Sequence, residues 1–161
     1  MKITLNSQAK DAATRDALVA EGGFGKYYTD HMVVCEWNEK DGWSEPELKA
    51  YGPISLDPAT AVFHYGQEIF EGMKAYRQPD GGIGLFRPEA NARRFAKSAN
   101  RLALPEMPEE LFIQTVEALV KQDAGWVPNK VGESLYIRPF MFATEVGLGV
   151  RPSNKALYML I

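Results

Sequence analysis

The sequence of 161 residues contains one cysteine, Cys35, and two histidines, His31 and His64. A lone cysteine excludes an internal disulfide and a zinc site built on cysteines. It fits a reducing compartment, so a cytoplasmic location is expected. The histidines lie on different segments, neither in metal-ligand spacing with another ligand, and no Gly-x-Ser-x-Gly is present. Neither a metal centre nor a nucleophilic triad is expected. Positive charge is not in excess: 18 Lys and Arg against 21 Asp and Glu leave a net charge of −3. That argues against a general nucleic-acid or membrane-surface binder. No apolar run approaches the ~20 residues that a membrane-crossing helix requires. Met1–Gln8 carries one charge and no apolar stretch, so it does not read as a signal peptide. Internal repeats and low-complexity stretches are lacking as well.

What is present is ordinary globular composition, 45% hydrophobic and 24% charged. A chain of this length buries roughly 68–70% of its unfolded surface and needs no covalent staple. Residues 1–23 read as a polar extension with a short helix over Asp11–Val19, and residues 24–161 as the domain proper. Lys26–Trp37 is rich in β-branched and aromatic residues and predicts a strand. Asp41-Gly42 is a hairpin turn signal, with Ser44–Tyr51 as the return strand and Gly52–Thr60 as connection. Glu71–Arg77 and Ile83–Phe86 flank Gln-Pro-Asp-Gly-Gly and predict a second hairpin. Pro88–Leu104 and Pro108–Gly125 read as helices, each with proline at its start. The second carries an apolar stripe that includes Phe112, Val116, Leu119 and Val120. Ser134–Thr144 predicts a strand, followed by the glycine-punctuated loop Glu145–Val150 and a last strand over Ala156–Ile161. That strand has no turn or tail after it, which leads one to expect the front part of a longer protein. The order predicts an α+β domain: a mostly antiparallel sheet with two main helices on one face.

The chemistry concentrates in three places. Alternation along Leu135–Phe142 puts Tyr136, Arg138, Phe140 and Phe142 on one face and Leu135, Ile137 and Met141 on the other. The aliphatic face should be core. The other offers a phenol and a guanidinium between aromatic walls, suited to an amphipathic small molecule bearing a carboxylate. Taken alone, these residues equally describe an edge strand whose Arg138 pairs with a surface acid. The helix face of Arg94, Lys97 and Arg101, with Arg93 alongside, could hold a phosphate or simply face water. Glu145–Val150 resembles a phosphate cradle superficially, but no helix follows. It reads better as a flexible loop carrying Leu148 and Val150 to an apolar pocket. The histidines, and Tyr65 and Phe70 around Gly66-Gln67-Glu68-Ile69, read first as structural.

Together these segments resemble the branched-chain amino acid aminotransferases. The resemblance rests on Phe24-Gly25-Lys26, Thr29-Asp30-His31-Met32, Phe63-His64-Tyr65-Gly66, and Phe70-Glu71-Gly72-Met73-Lys74-Ala75-Tyr76. It continues through Leu85-Phe86-Arg87-Pro88, Asn91-Ala92-Arg93-Arg94 and Ser134-Leu135-Tyr136-Ile137-Arg138-Pro139. It implies the N-terminal, smaller domain of the D-amino-acid-aminotransferase-like fold and the cofactor pyridoxal 5′-phosphate. Arg94 falls where that family binds the cofactor phosphate. Phe24, Tyr65, Phe70 and Tyr136 fall at substrate-pocket positions, and Arg138 near the substrate carboxylate. Leu148 and Val150 fall on a loop that reaches the neighbouring subunit's site, so a homodimer is expected. The family's Schiff-base lysine, the glutamate facing the pyridine nitrogen and the other phosphate ligands lie in a second domain, beyond residue 161. No catalytic residue is therefore expected within the chain, and the chain alone is expected to be inactive. The implied reaction moves the amino group of leucine, isoleucine or valine to 2-oxoglutarate, yielding the 2-oxo acid and glutamate. The competing readings are a D-amino acid aminotransferase or aminodeoxychorismate lyase relative, and a stand-alone binding domain.

Overall fold

Two helices of fourteen residues, α3 (Pro88–Arg101) and α4 (Glu109–Gln122), cover one face of a large sheet in the computed structural model, which describes residues 1–161. In chain order the other elements are β1 (Lys2–Ile3), α1 (Ala12–Glu21), β2 (His31–Asn38), β3 (Gly42–Trp43), β4 (Glu47–Ala50), α2 (Ala61–Tyr65) and β5 (Glu68–Phe70). Then come β6 (Met73–Arg77), β7 (Ile83–Leu85), β8 (Leu135–Ile137), β9 (Pro139–Ala143) and β10 (Lys155–Leu160). A 3-10 turn over Ala124–Trp126 follows α4. The large sheet runs β1-β4-β2-β10-β9-β5, with β3 hairpinned onto β2. All its pairings are antiparallel except β1 with β4. A second sheet, β7-β6-β8, stands apart from it. This is the α+β arrangement expected, with both main helices on one side.

Register explains which residues make the core. Tyr158 lies opposite Cys35 and Met141, and Leu160 opposite Val33 and Pro139, so these side chains share one face. The stripe Phe112, Val116, Leu119 and Val120 is buried against that face. The rings of Phe95, Phe112 and Tyr158 meet at centroid distances of 5.4 to 6.2 Å. Thr115 donates its hydroxyl to the carbonyl of Phe112, so the buried phenol of Tyr158 donates to Thr115 Oγ1 at 3.0 Å. Burial pushes the Tyr158 phenol far above its ordinary range. The opposite face carries a smaller cluster of Met32, Phe142 and Met159, flanked by half-buried Phe140 and Leu157 and by Val62 of α2.

Three strand boundaries differ from expectation. Residues 26–30 are irregular, and the strand begins only at His31, where β4 supplies a partner in Ala50. The return strand is interrupted at Pro46 between β3 and β4. The long strand over 134–144 is split at Arg138, because β8 pairs with β6 in the small sheet and β9 with β10 and β5 in the large one. Pro139, which lacks an N–H, sits at the crossing.

The segment expected as an extension is tied to the domain. β1 pairs with β4, the Asn6 N–H donates to His31 Nε2 at 3.0 Å, and Lys10 reaches the carboxylate of Asp30 at 3.0 Å. His31 turns its other ring nitrogen to Asp123 at 2.7 Å, so this buried histidine is structural, as expected. No helix is long and apolar enough to cross a membrane.

Candidate active site

The site is built where the chain passes from the large sheet to the small one, at Phe70-Glu71-Gly72 between β5 and β6. Each of these three residues engages a different side chain singled out from the sequence. Phe70, at the end of β5, lies under the guanidinium of Arg138 at 4.3 Å from the ring centroid. Glu71 takes the guanidinium of Arg94 side-on: Nε donates to Oε1 at 2.5 Å and Nη2 to Oε2 at 2.6 Å. Gly72 lies against Tyr136, where an added Cβ would meet the phenol oxygen far inside van der Waals contact, with the ring carbon Cζ at 3.1 Å.

Tyr136 and Arg138 stand on the same side of the chain despite the break between β8 and β9. Arg138 Nη2 donates to Tyr136 Oη at 2.8 Å. Its Nε is buried and has no hydrogen-bond partner. Phe24 sets its ring edge-on to Tyr136 at 4.8 Å, although the side chain is 77% exposed. A cleft of about 710 Å³ opens beside this group, lined by Phe24, Lys74, Leu135, Tyr136, Arg138 and Ile161 among others. A buried donor without an acceptor, at the wall of a cleft, fits an anionic group such as a carboxylate.

Arg94 is set apart from the other helix cations. Arg93 pairs with Glu109 at 3.2 Å on the surface, while Lys97 and Arg101 are exposed. The Arg94 side chain is 63% exposed, against 5% for its partner Glu71. Burial is the largest single influence on Glu71 and pushes its carboxyl upward. The bonds from Arg94, Asn91 and the Gly72 N–H outweigh it and hold the carboxyl below its ordinary range. Arg94 itself is raised by the bond to Glu71. Side-on pairing uses two of the five guanidinium N–H groups, so three remain to meet a phosphate.

Tyr65 and Leu148 form a second group, with Val150 two residues further along the same loop. Tyr65, at the end of α2, donates its hydroxyl to the carbonyl of Leu148. The loop is also tied to residues 59–61, through Gly147 N–H to the carbonyl of Ala59 and Ala61 N–H to that of Glu145. Leu148 is 64% exposed and Val150 87%. Neither lines the cleft beside Tyr136 and Arg138. No hydrogen bond or ring contact joins this group to Tyr136 and Arg138.

Reasoning from sequence missed Glu71, Gly72 and Asn91. The spacing of Asn91 and Arg94 was the available signal: three residues apart on α3, they reach the same carboxylate.

No protein-family model matches the chain. Relatives are nonetheless close. The chain is 57% identical over 148 residues to a probable branched-chain-amino-acid aminotransferase of Streptomyces coelicolor, covering 91% of this chain and 41% of that protein. It is 55% identical over 160 residues to the branched-chain-amino-acid aminotransferase of Mycolicibacterium smegmatis, covering 99% and 44%. With the cytosolic enzyme of Saccharomyces cerevisiae it shares 45% over 161 residues, covering 100% and 42%. Among solved structures, a branched-chain amino acid aminotransferase from Escherichia coli superposes with a TM-score of 0.60 at 21% identity, over 82% of this chain and 40% of that one.

The fold is that of the N-terminal domain of D-amino-acid-aminotransferase-like enzymes. Over the stretch it spans, the chain is similar to branched-chain-amino-acid aminotransferases along nearly its whole length. It spans about two-fifths of the length of the curated relatives it matches.

Proposed function

We propose that the chain forms the substrate and phosphate wall of a branched-chain amino acid aminotransferase. The donor would be leucine, isoleucine or valine and the acceptor 2-oxoglutarate, with pyridoxal 5′-phosphate as cofactor. The observation that carries this reading is Phe70-Glu71-Gly72, which ties Arg138, Arg94 and Tyr136 to one short segment. Residues 24–161 act as the smaller domain, with residues 1–23 joined to it through β1. A second domain supplies the lysine that holds the cofactor.

The residues present fit the cofactor. Arg94 keeps three N–H groups for phosphate oxygens, on an exposed guanidinium already fixed in direction by Glu71. When bound, the cofactor supplies an electron sink for the substrate α-carbon. This chain's residues bind and orient. Arg138, held flat on the Phe70 ring and fixed by Tyr136 Oη, offers its free Nη1 to the substrate carboxylate. Phe24 and Tyr136 present an apolar wall to an uncharged side chain. One methylene in such a wall is worth only about 1–3 kcal/mol, so leucine, isoleucine and valine are all accepted. Lys74 lines the cleft but is exposed, outside the setting that activates an amine nucleophile.

Tyr65, Leu148 and Val150 complete the site of a second subunit, which makes the working form a homodimer. Their exposure and their separation from Tyr136 support this. The single buried, unpaired Cys35 supports a cytoplasmic setting.

The test is amino transfer by the protein at its full natural length. Leucine, isoleucine and valine should each yield glutamate from 2-oxoglutarate, and D-alanine should not. Transfer from D-alanine in preference to leucine would favour a D-amino acid aminotransferase, and no transfer at all a binding domain.

A further inference from the structure

We infer that Glu71 is a positioning residue that fixes the guanidinium of Arg94 to receive the cofactor phosphate; the inference rests on the phosphate role proposed for Arg94. The pair is unequal in a way that a surface ion pair is not. The carboxylate is 5% exposed and the arginine 63%. An arginine so exposed is free to sample many rotamers unless something orders it. Glu71 orders it through two parallel bonds, at 2.5 Å to Nε and 2.6 Å to Nη2. Two parallel bonds fix the plane of the guanidinium as well as its place.

The carboxylate is itself anchored. Its Oε2 also accepts from Asn91 Nδ2 at 3.0 Å and from the Gly72 N–H at 3.3 Å. Asn91 Nδ2 further donates to the Gly72 carbonyl at 3.2 Å. The chain of contacts runs from the β5–β6 link through Glu71 to Arg94, with Asn91 of the same helix bracing it. The Nη1 edge of Arg94, directed away from Glu71, is left for an anion.

A neighbouring carboxylate also repels a phosphate, and that gives the test its sign. Were Glu71 only a counter-charge, Glu71→Gln would remove the repulsion and tighten phosphate binding. As a positioning residue, its loss frees Arg94 and weakens that binding.

The experiment titrates cofactor-free protein of full natural length with pyridoxal 5′-phosphate and, separately, with pyridoxal, which lacks the phosphate. Both titrations are followed by absorbance. Glu71→Gln should weaken pyridoxal 5′-phosphate binding about five- to tenfold while moving pyridoxal less than about twofold. A general loss of packing would move both. In an Arg94→Ala background, Glu71→Gln should change the ratio no further. If Glu71→Gln leaves the ratio unchanged or raises it while Arg94→Ala lowers it, the positioning role is overturned and the phosphate role of Arg94 stands. If Arg94→Ala also leaves the ratio unchanged, the phosphate role fails, and this inference with it. Should Glu71→Gln not fold, Glu71→Asp takes its place, since its shorter carboxylate cannot meet both Nε and Nη2. A ratio lowered about threefold or more supports the role, and an unchanged ratio overturns it.

Discussion

Glu71 sits almost wholly out of water and is still ionised, because three groups donate to it. Its carboxyl is held below the ordinary 4.5, so the folded protein gains stability from its ionised form. That gain is complete above the unfolded value and is lost as pH falls through the lower, folded one. The unfolding free energy of wild type should therefore exceed that of Glu71→Gln at pH 7. The gap should narrow steadily as acid is added below about 4.5. Water around the exposed Arg94 screens the pair, which keeps the gap at pH 7 to about 1–2 kcal/mol. Denaturant melts across pH 3 to 7 check this, and a gap independent of pH would contradict it. At this scale the sequence was legible where geometry is local. Alternation put Tyr136 and Arg138 on one side with Ile137 on the other, and they are hydrogen-bonded there. The partnership of Glu71 with Arg94 crosses 23 residues, and that of Tyr65 with Leu148 crosses 83. No spacing rule reaches that far.

Among the elements, the link between β5 and β6 matters most, because it joins two sheets and carries one anchor for each half of the site. Gly72 is required there for space. Its alanine variant would place a methyl into the phenol of Tyr136. The ring is stiff, so it must swing away and leave Arg138 without its acceptor. Overpacking of this kind costs about 1–3 kcal/mol. Gly72→Ala should fold with a modest loss of stability and raise KM for leucine about tenfold, by loss of one charge-assisted bond. Steady-state kinetics beside a thermal melt check both, and an unchanged KM would contradict the account. Helices and hairpins were legible in the sequence because their signals are local: prolines at helix starts, Asp41-Gly42, and the stripe on α4. The break at Arg138 was not, because it depends on which sheet each half of the strand joins. The irregular run before His31 has the same cause: its composition suits a strand, but no partner strand lies beside it.

The whole molecule leaves large apolar side chains in water, including Phe63, Phe70, Leu148 and Val150, each at least 60% exposed. Apolar patches of this kind mark interfaces when they are contiguous. In the proposed homodimer, the loop over 145–150 completes the neighbour's site. Leu148→Asp in the full-length protein should shift sedimentation from dimer towards monomer and lower kcat. A dimer that sediments and turns over unchanged would contradict that role for the loop. Both proposed substrates bear a carboxylate, and Arg138 is the residue proposed to read it. The most direct measurement is kcat/KM for leucine with 2-oxoglutarate, compared between wild type and Arg138→Gln, with a thermal melt of each. A charge-assisted bond of about 1.5–3 kcal/mol predicts a loss of roughly ten- to hundredfold. The melting temperature should move by only a few degrees. Equal kcat/KM in the two proteins would contradict the claim that this chain's wall receives the substrate.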